Sequence, residues 1–319
     1  MTGCLLLRLA TIVCTIAVAE RQCISGHSSN CPEEEREYNW DVNSNEHPCN
    51  IRRVSDRDLA QSFGPTYPYP LVIYPSSGRR NSDFARLTTV ENLASNFVPN
   101  FNVTLSGSDS LSSHRREIPL IQYLDEILNA NGVGETLPDQ LGNESWYLFG
   151  ETFTDDWAAF LRRYELPRCH SCTRDQVALS FGIGNSGSGV QWHTHGPGFS
   201  ETIHGRKHWV LYPPNQRPSY NLDYASRHWM EHEYGRLENW TEADVEDERN
   251  SHIKYMTNSY EDMSGPPFGI LTKKTESGPS EKKPFECTIH PGEMIYFPDR
   301  WHHATINLDS YTCFVSSFL

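Results

Sequence analysis

Three histidines have the residue type and the spacing for metal chemistry. His193 and His195 are two positions apart, and side chains at positions i and i+2 of a β-strand point to the same side. A third imidazole, His303, follows about a hundred residues later in an apolar stretch. Non-haem iron sites normally combine two histidines with one carboxylate. The pattern therefore predicts a metal site made of three histidines, with a histidine at the position of the usual carboxylate.

The segments around these histidines resemble the two halves of a domain of the jumonji-C (cupin) family. The first half corresponds to Gly189–Pro214, which contains the His-x-His-Gly-Pro-Gly turn, and the second to Gly292–Asn307. The resemblance is clear from about Tyr147 to the C-terminus and weaker back to about Cys49. It implies a mainly β fold, a double-stranded β-helix (jelly-roll) barrel with an N-terminal α/β extension and helices packed on the outside.

The resemblance also sets the register of the second motif. In the family a proline stands five residues before the histidine ligand and an asparagine four residues after it. Pro298 and Asn307 have this spacing from His303 and not from His302. Because adjacent residues of a strand face opposite sides, His302 is expected to point away from the site.

Lys207 stands where jumonji-C enzymes place the cation that pairs with the distal carboxylate of 2-oxoglutarate. The alternative is a solvated lysine in a basic patch with Arg206. The family pattern also expects a hydroxyl three residues before the first ligand, where this chain has Val190. Fe(II) and 2-oxoglutarate are therefore the cofactors that the resemblance implies, but Val190 and His195 depart from the active pattern, and we assign neither cofactor.

Other residues near the motifs have a structural interpretation. Glu201 lies six residues beyond His195, where many cupins have a fourth ligand, but a polar residue of the barrel wall is the favoured interpretation. Trp192, Trp209 and Trp301 are expected to belong to the barrel core rather than to a ligand cage.

The N-terminus has the pattern of a secretory signal peptide, predicted at residues 1–19. Leu5–Val18 is apolar apart from Arg8 and small polar residues, and the small-x-small sequence Ala17–Ala19 precedes Glu20. This stretch is shorter than the roughly 20 apolar residues that a membrane-spanning helix needs. We therefore expect a mature chain of residues 20–319 without a membrane span.

Three glycosylation sequons agree with the secretory route, at Asn102, Asn143 and Asn239. The resemblance implies residence in the lumen of the endoplasmic reticulum, and secretion is the alternative. The formal charge is −14, and it becomes −15 when Arg8 leaves with the signal peptide. An acidic chain is a poor partner for nucleic acid, so we predict that it binds none.

Seven cysteines remain after signal cleavage, and an odd number leaves at least one outside any intramolecular disulfide. Cys169-His-Ser-Cys172 follows a proline in a loop, which favours a local disulfide or free thiols over redox chemistry. Cys287 and Cys313 lie in apolar runs and are expected to be buried.

The composition divides the mature chain into an acidic leader at 20–48, an α/β extension at 49–145 and the barrel at 146–319. A polar segment at about 215–284 is predicted to interrupt the barrel, with a helix around Tyr224–Tyr234. The patterns predict strands at Pro70–Tyr74, Asn102–Leu105, Val177–Phe181 and Tyr311–Phe318, and one through each of the two histidine motifs. Helices are predicted between Pro119 and Gly132 and at Asp155–Leu161, the latter capped by Thr154.

Three functions are compatible with these features. The favoured one is a non-catalytic or weakly active interaction module in the lumen of the endoplasmic reticulum, with lumenal or secretory-pathway proteins as partners. The first alternative is an Fe(II)/2-oxoglutarate-dependent protein hydroxylase, and the second is a metal cupin that binds a small molecule. A homo-oligomer is compatible with each of them.

Overall fold

A computed structural model describes residues 40–59, 63, 66–108, 115–129, 146–150, 152, 154–220, 224–234 and 283–319. The strands are β1 (Arg53–Ser55), β2 (Leu71–Tyr74), β3 (Asn102–Gly107), β4 (Arg115–Pro119), β5 (Trp146–Leu148), β6 (Ala178–Gly184), β7 (Gly198–His204), β8 (Lys207–Tyr212), β9 (Phe285–Ile289), β10 (Met294–Phe297), β11 (His302–Asn307) and β12 (Thr312–Phe318). The helices are α1 (Asp56–Leu59), α2 (Ser82–Leu87), α3 (Val90–Ser95), α4 (Leu120–Asn129), α5 (Asp155–Leu161) and α6 (Ser226–His232).

Two sheets face each other in the barrel. The larger has nine strands in the order β1-β2-β10-β7-β12-β6-β5-β3-β4, and the smaller has three in the order β11-β8-β9. Only the pairing of β1 with β2 is parallel among the described strands. This mainly β architecture confirms the predicted fold class, with β1–β5 extending one sheet at both ends.

The central strands are buried on both faces, and every residue of β8 and β10 is buried. The reason is that the inner faces meet inside the barrel while helices cover parts of the outer faces. Leu124 of α4 and Trp157 of α5 join a core with Phe181 of β6. Trp229 and Met230 of α6 join a second core against the three-stranded sheet.

Most of the predicted elements are present, including β2, β3, β6, β12 and α4, and α5 has the predicted bounds. Thr154 is the N-cap residue of α5, but its side chain makes no capping hydrogen bond. The prediction of a regular strand through His193 and His195 is wrong. His193 forms an isolated bridge with His303, and β7 begins only at Gly198, because the Gly-Pro-Gly turn interrupts the pairing.

The polar segment connects β8 to β9, which are antiparallel neighbours. The predicted helix around Tyr224–Tyr234 is present as α6.

Several predicted features lie outside the described residues: Asn143, Asn239, the signal peptide and most of the acidic leader. The described residues belong to one compact unit. Within the described part of the chain, no helix combines the length and apolar character needed to cross a bilayer.

Two disulfides lie within the described residues. Cys169–Cys172 is a local disulfide, which is one of the two alternatives, disulfide or free thiols, that the sequence left open. Cys49–Cys287 was not predicted, and it ties the segment before β1 to β9 across 238 positions. Cys287 and Cys313 are buried as expected, and Cys313 is the free cysteine of the described residues.

Candidate metal centre

The structure brings His193, His195 and His303 together. The ring centroids are 4.2 Å apart for His193 and His303, 4.7 Å for His195 and His303, and 5.3 Å for His193 and His195. One ligand atom from each ring lies within 4.8 Å of the others. Two backbone hydrogen bonds of 3.0 Å between His193 and His303 hold the two motifs side by side. The three imidazoles can therefore share one ion.

Each imidazole is oriented by a backbone carbonyl. Nδ1 of His193 donates to the oxygen of Gln191 at 2.7 Å, and Nδ1 of His195 to that of Gly196 at 2.7 Å. Nδ1 of His303 donates to the oxygen of Trp301 at 2.9 Å. A carbonyl oxygen only accepts, so Nδ1 carries the proton and Nε2 presents a lone pair. This is the second hydrogen bond that metal-binding histidines usually make.

The charge state of the three rings also suits a metal. Burial, with a smaller contribution from the charge of the neighbouring His195, lowers the pKa of His193 to about 3. Burial lowers the pKa of His195 and holds that of His303 well below its ordinary value. The rings are therefore neutral at neutral pH, and no proton competes with a cation. His303 Nε2 is buried without a hydrogen-bond partner in the described structure, a position that an ion would satisfy.

His302 does not belong to this group. His303 lines the central cavity, whereas His302 does not. The strand alternation thus gives the register that the motif spacing predicted. Burial lowers the pKa of His302 to about 4, with a further contribution from the charge of Arg217.

The cavity at the triad is small and mostly aromatic. Its volume is about 20 Å³, and it is lined by Phe149, Val190, His193, His195, Lys207, Trp209, Phe297, His303, Thr305, Phe314, Ser316 and Phe318. A volume of roughly 10–15 Å³ on this measure holds one water molecule. The space therefore suits an ion with a single small ligand.

Lys207 reaches this cavity from β8. It is 1% exposed, so the solvated basic patch is excluded. Its Nζ donates to Asn307 Oδ1 at 3.1 Å and lies 3.8 Å from the centroid of the Phe314 ring. Burial lowers the pKa of Lys207 to about 7. No sequence pattern indicates the Phe314 contact, and only the motif spacing indicates Asn307.

Opposite the histidines, Val190 contributes an apolar wall. Its amide nitrogen donates to Thr305 Oγ1 at 3.1 Å, and Ser316 supplies another hydroxyl to the lining. The sequence patterns did not single out either hydroxyl residue, although Thr305 lies on β11 and Ser316 on β12. The donor set fits a metal ion. The cavity does not fit 2-oxoglutarate, because it lacks the volume and the Phe314 ring covers the Lys207 ammonium.

Glu201 is not part of the metal centre. Its carboxylate is 1% exposed and accepts hydrogen bonds from Tyr164 Oη at 2.9 Å and Asn81 Nδ2 at 2.8 Å. Arg80 lies 3.4 Å away, and burial raises the pKa of Glu201. These contacts make Glu201 a buried wall residue that joins β7 to the start of α2 and to the segment after α5.

The three tryptophans are buried as predicted. Trp192 packs with α6, and Trp301 packs with Ile295 of β10. Trp209 has an additional role, because its ring stacks on His303 with centroids 5.5 Å apart. It is therefore a core residue that also supports the site.

Together the barrel and its convergent histidines define a cupin, and the chain belongs to the family with a cupin-like domain, whose family model matches residues 44–318. Human JmjC domain-containing protein 8 is 31% identical over 274 residues, which cover 86% of this chain and 85% of the relative. The Rattus norvegicus protein of the same name is 35% identical over 241 residues, 75% of this chain and 71% of the relative. Lysine-specific demethylase JMJ21 of Arabidopsis thaliana is 24% identical over 212 residues, 66% of this chain and 18% of that protein.

Proposed function

We propose that this protein is a metal-binding jumonji-C-type cupin of the secretory pathway that acts as an interaction module rather than as an oxygenase. The observation that carries the proposal is the convergence of three neutral imidazoles, His193, His195 and His303, on a cavity of about 20 Å³. Such a site has ligands for one ion and little room for a co-substrate.

The residues around the triad orient the three imidazoles and shield them from water. The backbone carbonyls of Gln191, Gly196 and Trp301 fix the ring orientations. Trp209 and Phe297 stack on His303 and exclude water from one side. A bound divalent ion would supply a positive charge and Lewis acidity there.

Three features argue against 2-oxoglutarate turnover. His195 supplies a neutral nitrogen where iron oxygenases have a carboxylate. Val190 supplies a methyl group where a hydroxyl is expected. The Lys207 ammonium is occupied by Asn307 and covered by Phe314, so a distal carboxylate does not reach it. The predicted signal peptide and the acidic charge support lumenal or secretory-pathway proteins as partners, and not nucleic acid.

A second candidate is an Fe(II)/2-oxoglutarate-dependent protein hydroxylase in the endoplasmic reticulum. Lys207 favours it, because this cation faces the same cavity as the triad. The similarity to a protein named lysine-specific demethylase favours the same candidate. This function requires the Phe314 ring to move away from Lys207.

One experiment separates the two candidates. The mature chain is purified, and its metal content is measured together with its 2-oxoglutarate-dependent thermal stabilisation and turnover in the presence of Fe(II). We expect about one metal ion at the triad, lost in His303→Ala and retained in the matched control His302→Ala. We also expect neither stabilisation nor turnover with 2-oxoglutarate. Turnover that depends on His303 would favour the hydroxylase, and metal content that His303→Ala leaves unchanged would refute the site.

A further inference from the structure

Helix α6 carries a second pair of histidines outside the barrel site. His228 and His232 are four residues apart in His-Trp-Met-Glu-His, and residues at i and i+4 of a helix are neighbours on one face. Their ring centroids are 4.4 Å apart. This distance falls within the range of 4.2–5.3 Å between the rings of the triad. The two imidazoles are therefore close enough to share an ion.

The helix that carries them is firmly attached to the barrel. Trp229 is buried, meets Trp192 edge to face at 4.9 Å and donates from Nε1 to the oxygen of Ser219 at 2.9 Å. Ser226 Oγ donates to the oxygen of Thr305 on β11 at 2.8 Å. Because one face of α6 is fixed in this way, the backbone positions of His228 and His232 are fixed relative to each other. A preorganised pair loses less conformational freedom when it binds an ion.

The surroundings of the pair favour a cation. His228 is half-buried and packs against the Tyr224 ring at 3.9 Å, whereas His232 is exposed. The carboxylates of Glu231 and Glu233 both act electrostatically on His228. Burial, followed by the neighbouring His232, lowers the pKa of His228, which favours the neutral imidazole that a metal requires.

We propose that His228 and His232 form a second metal site, on the outside of the barrel, for a borderline divalent cation of the zinc class. Paired histidines on one helical face are a recurrent zinc-binding arrangement, and the spacing His-x-x-Glu-His is one of its forms. Glu231 is engaged by Arg227, whose Nε donates to it at 2.6 Å, so the ion takes two protein nitrogens and fills its other positions with water. The site binds an ion and performs no hydrolysis.

Titration of the metal-free mature chain with Zn²⁺ tests this site independently of the triad. The wild type and His303→Ala are compared with His232→Ala and with a variant that carries both changes. We expect two zinc sites in the wild type, one in each single variant and none in the double variant. Loss of His232 should weaken the outer site at least roughly 100-fold, the upper end of the effect of removing an outer-shell partner.

Two further variants keep the test decisive. His228→Asn should remove the same site as His232→Ala, and His290→Ala, which removes another exposed histidine, should leave both sites. The proposal is overturned if His232→Ala and His228→Asn leave the zinc count unchanged, or if His290→Ala lowers it equally. It is also overturned if His303→Ala alone abolishes all binding. A count that falls with His232→Ala but not with His303→Ala supports the outer site and refutes the inner one.

Discussion

Lys207 offers a quantitative test of the enclosed cavity. The side chain is buried, its amine donates to Asn307, and burial lowers its pKa from 10.5 to about 7. In the unfolded chain the same amine keeps its proton up to its ordinary pKa of 10.5. We predict that Lys207→Met changes the pH dependence of stability, because methionine has a similar length and no titrating group.

The magnitude follows from proton linkage. Between the two pKa values the unfolded state binds more protons than the folded state, so the free energy of unfolding rises with pH by about 1.4 kcal/mol per pH unit. This stabilisation is complete above the unfolded pKa and is lost as the pH falls to the folded pKa of about 7. Over the range from about pH 7 to about pH 10, the contribution of Lys207 amounts to about 3–4 kcal/mol.

The assay is urea unfolding of the oxidised, metal-free protein, followed by tryptophan fluorescence at several pH values. The stability of Lys207→Met relative to the wild type should be greatest at about pH 7 and fall by about 3–4 kcal/mol as the pH rises to about 10. Loss of the hydrogen bond to Asn307 shifts this difference by about 1–3 kcal/mol at every pH. Lys207→Arg, which stays charged, should be destabilised and lack the wild-type dependence. A difference that does not vary with pH would refute the burial of a titrating amine.

Three other predictions concern the fold and processing. Gly189→Ala should lower the melting temperature sharply, because its Cβ would lie 1.9 Å from a backbone oxygen of β11, whereas Gly196→Ala, with its nearest contact at 3.7 Å, should change it little. Cys49→Ser should lower the free energy of unfolding by about 2–5 kcal/mol, and Cys169→Ser by clearly less, because a disulfide that closes a long loop stabilises more than one that closes a short loop. Equal losses for the two variants in urea unfolding would contradict this reasoning. Asn102→Gln should remove one glycan from the secreted or lumenal chain, seen as a smaller glycosidase-dependent shift on a gel.

The convergence of the three histidines was largely predictable because its determinants are local. The spacing of His193 and His195 and the alternation along β11 depend only on short-range geometry. The alternation allows one of His302 and His303 to face the site, and the family spacing of Pro298 and Asn307 indicated His303. The assumed strand at His193 was wrong, yet the imidazoles still converge. The reason is that Gly189 lets the first motif approach β11 more closely than any side chain would permit.

The surroundings of the site were not predictable, because they depend on distant segments. Phe314 covers Lys207, and its ring fits only because Gly182 on the neighbouring strand has no side chain, since a Cβ there would lie 2.2 Å from the ring. The Cys49–Cys287 pairing joins residues 238 positions apart, and cysteine spacing alone does not reveal such connectivity. Contacts of this kind become visible only when the sheets are assembled.

The connection between β8 and β9 has a consequence for how this barrel can change over time. Leu211 and Phe285 are direct partners in the antiparallel sheet, so the chain leaves and re-enters the barrel at the same place. The entropic cost of such a connection grows slowly, by about 0.6 kcal/mol for each doubling of its length. The barrel therefore tolerates lengthening or shortening of the connection between α6 and β9, whereas α6 itself belongs to a core of the barrel. New binding properties can be gained or lost in that connection while the cavity at the three histidines is preserved.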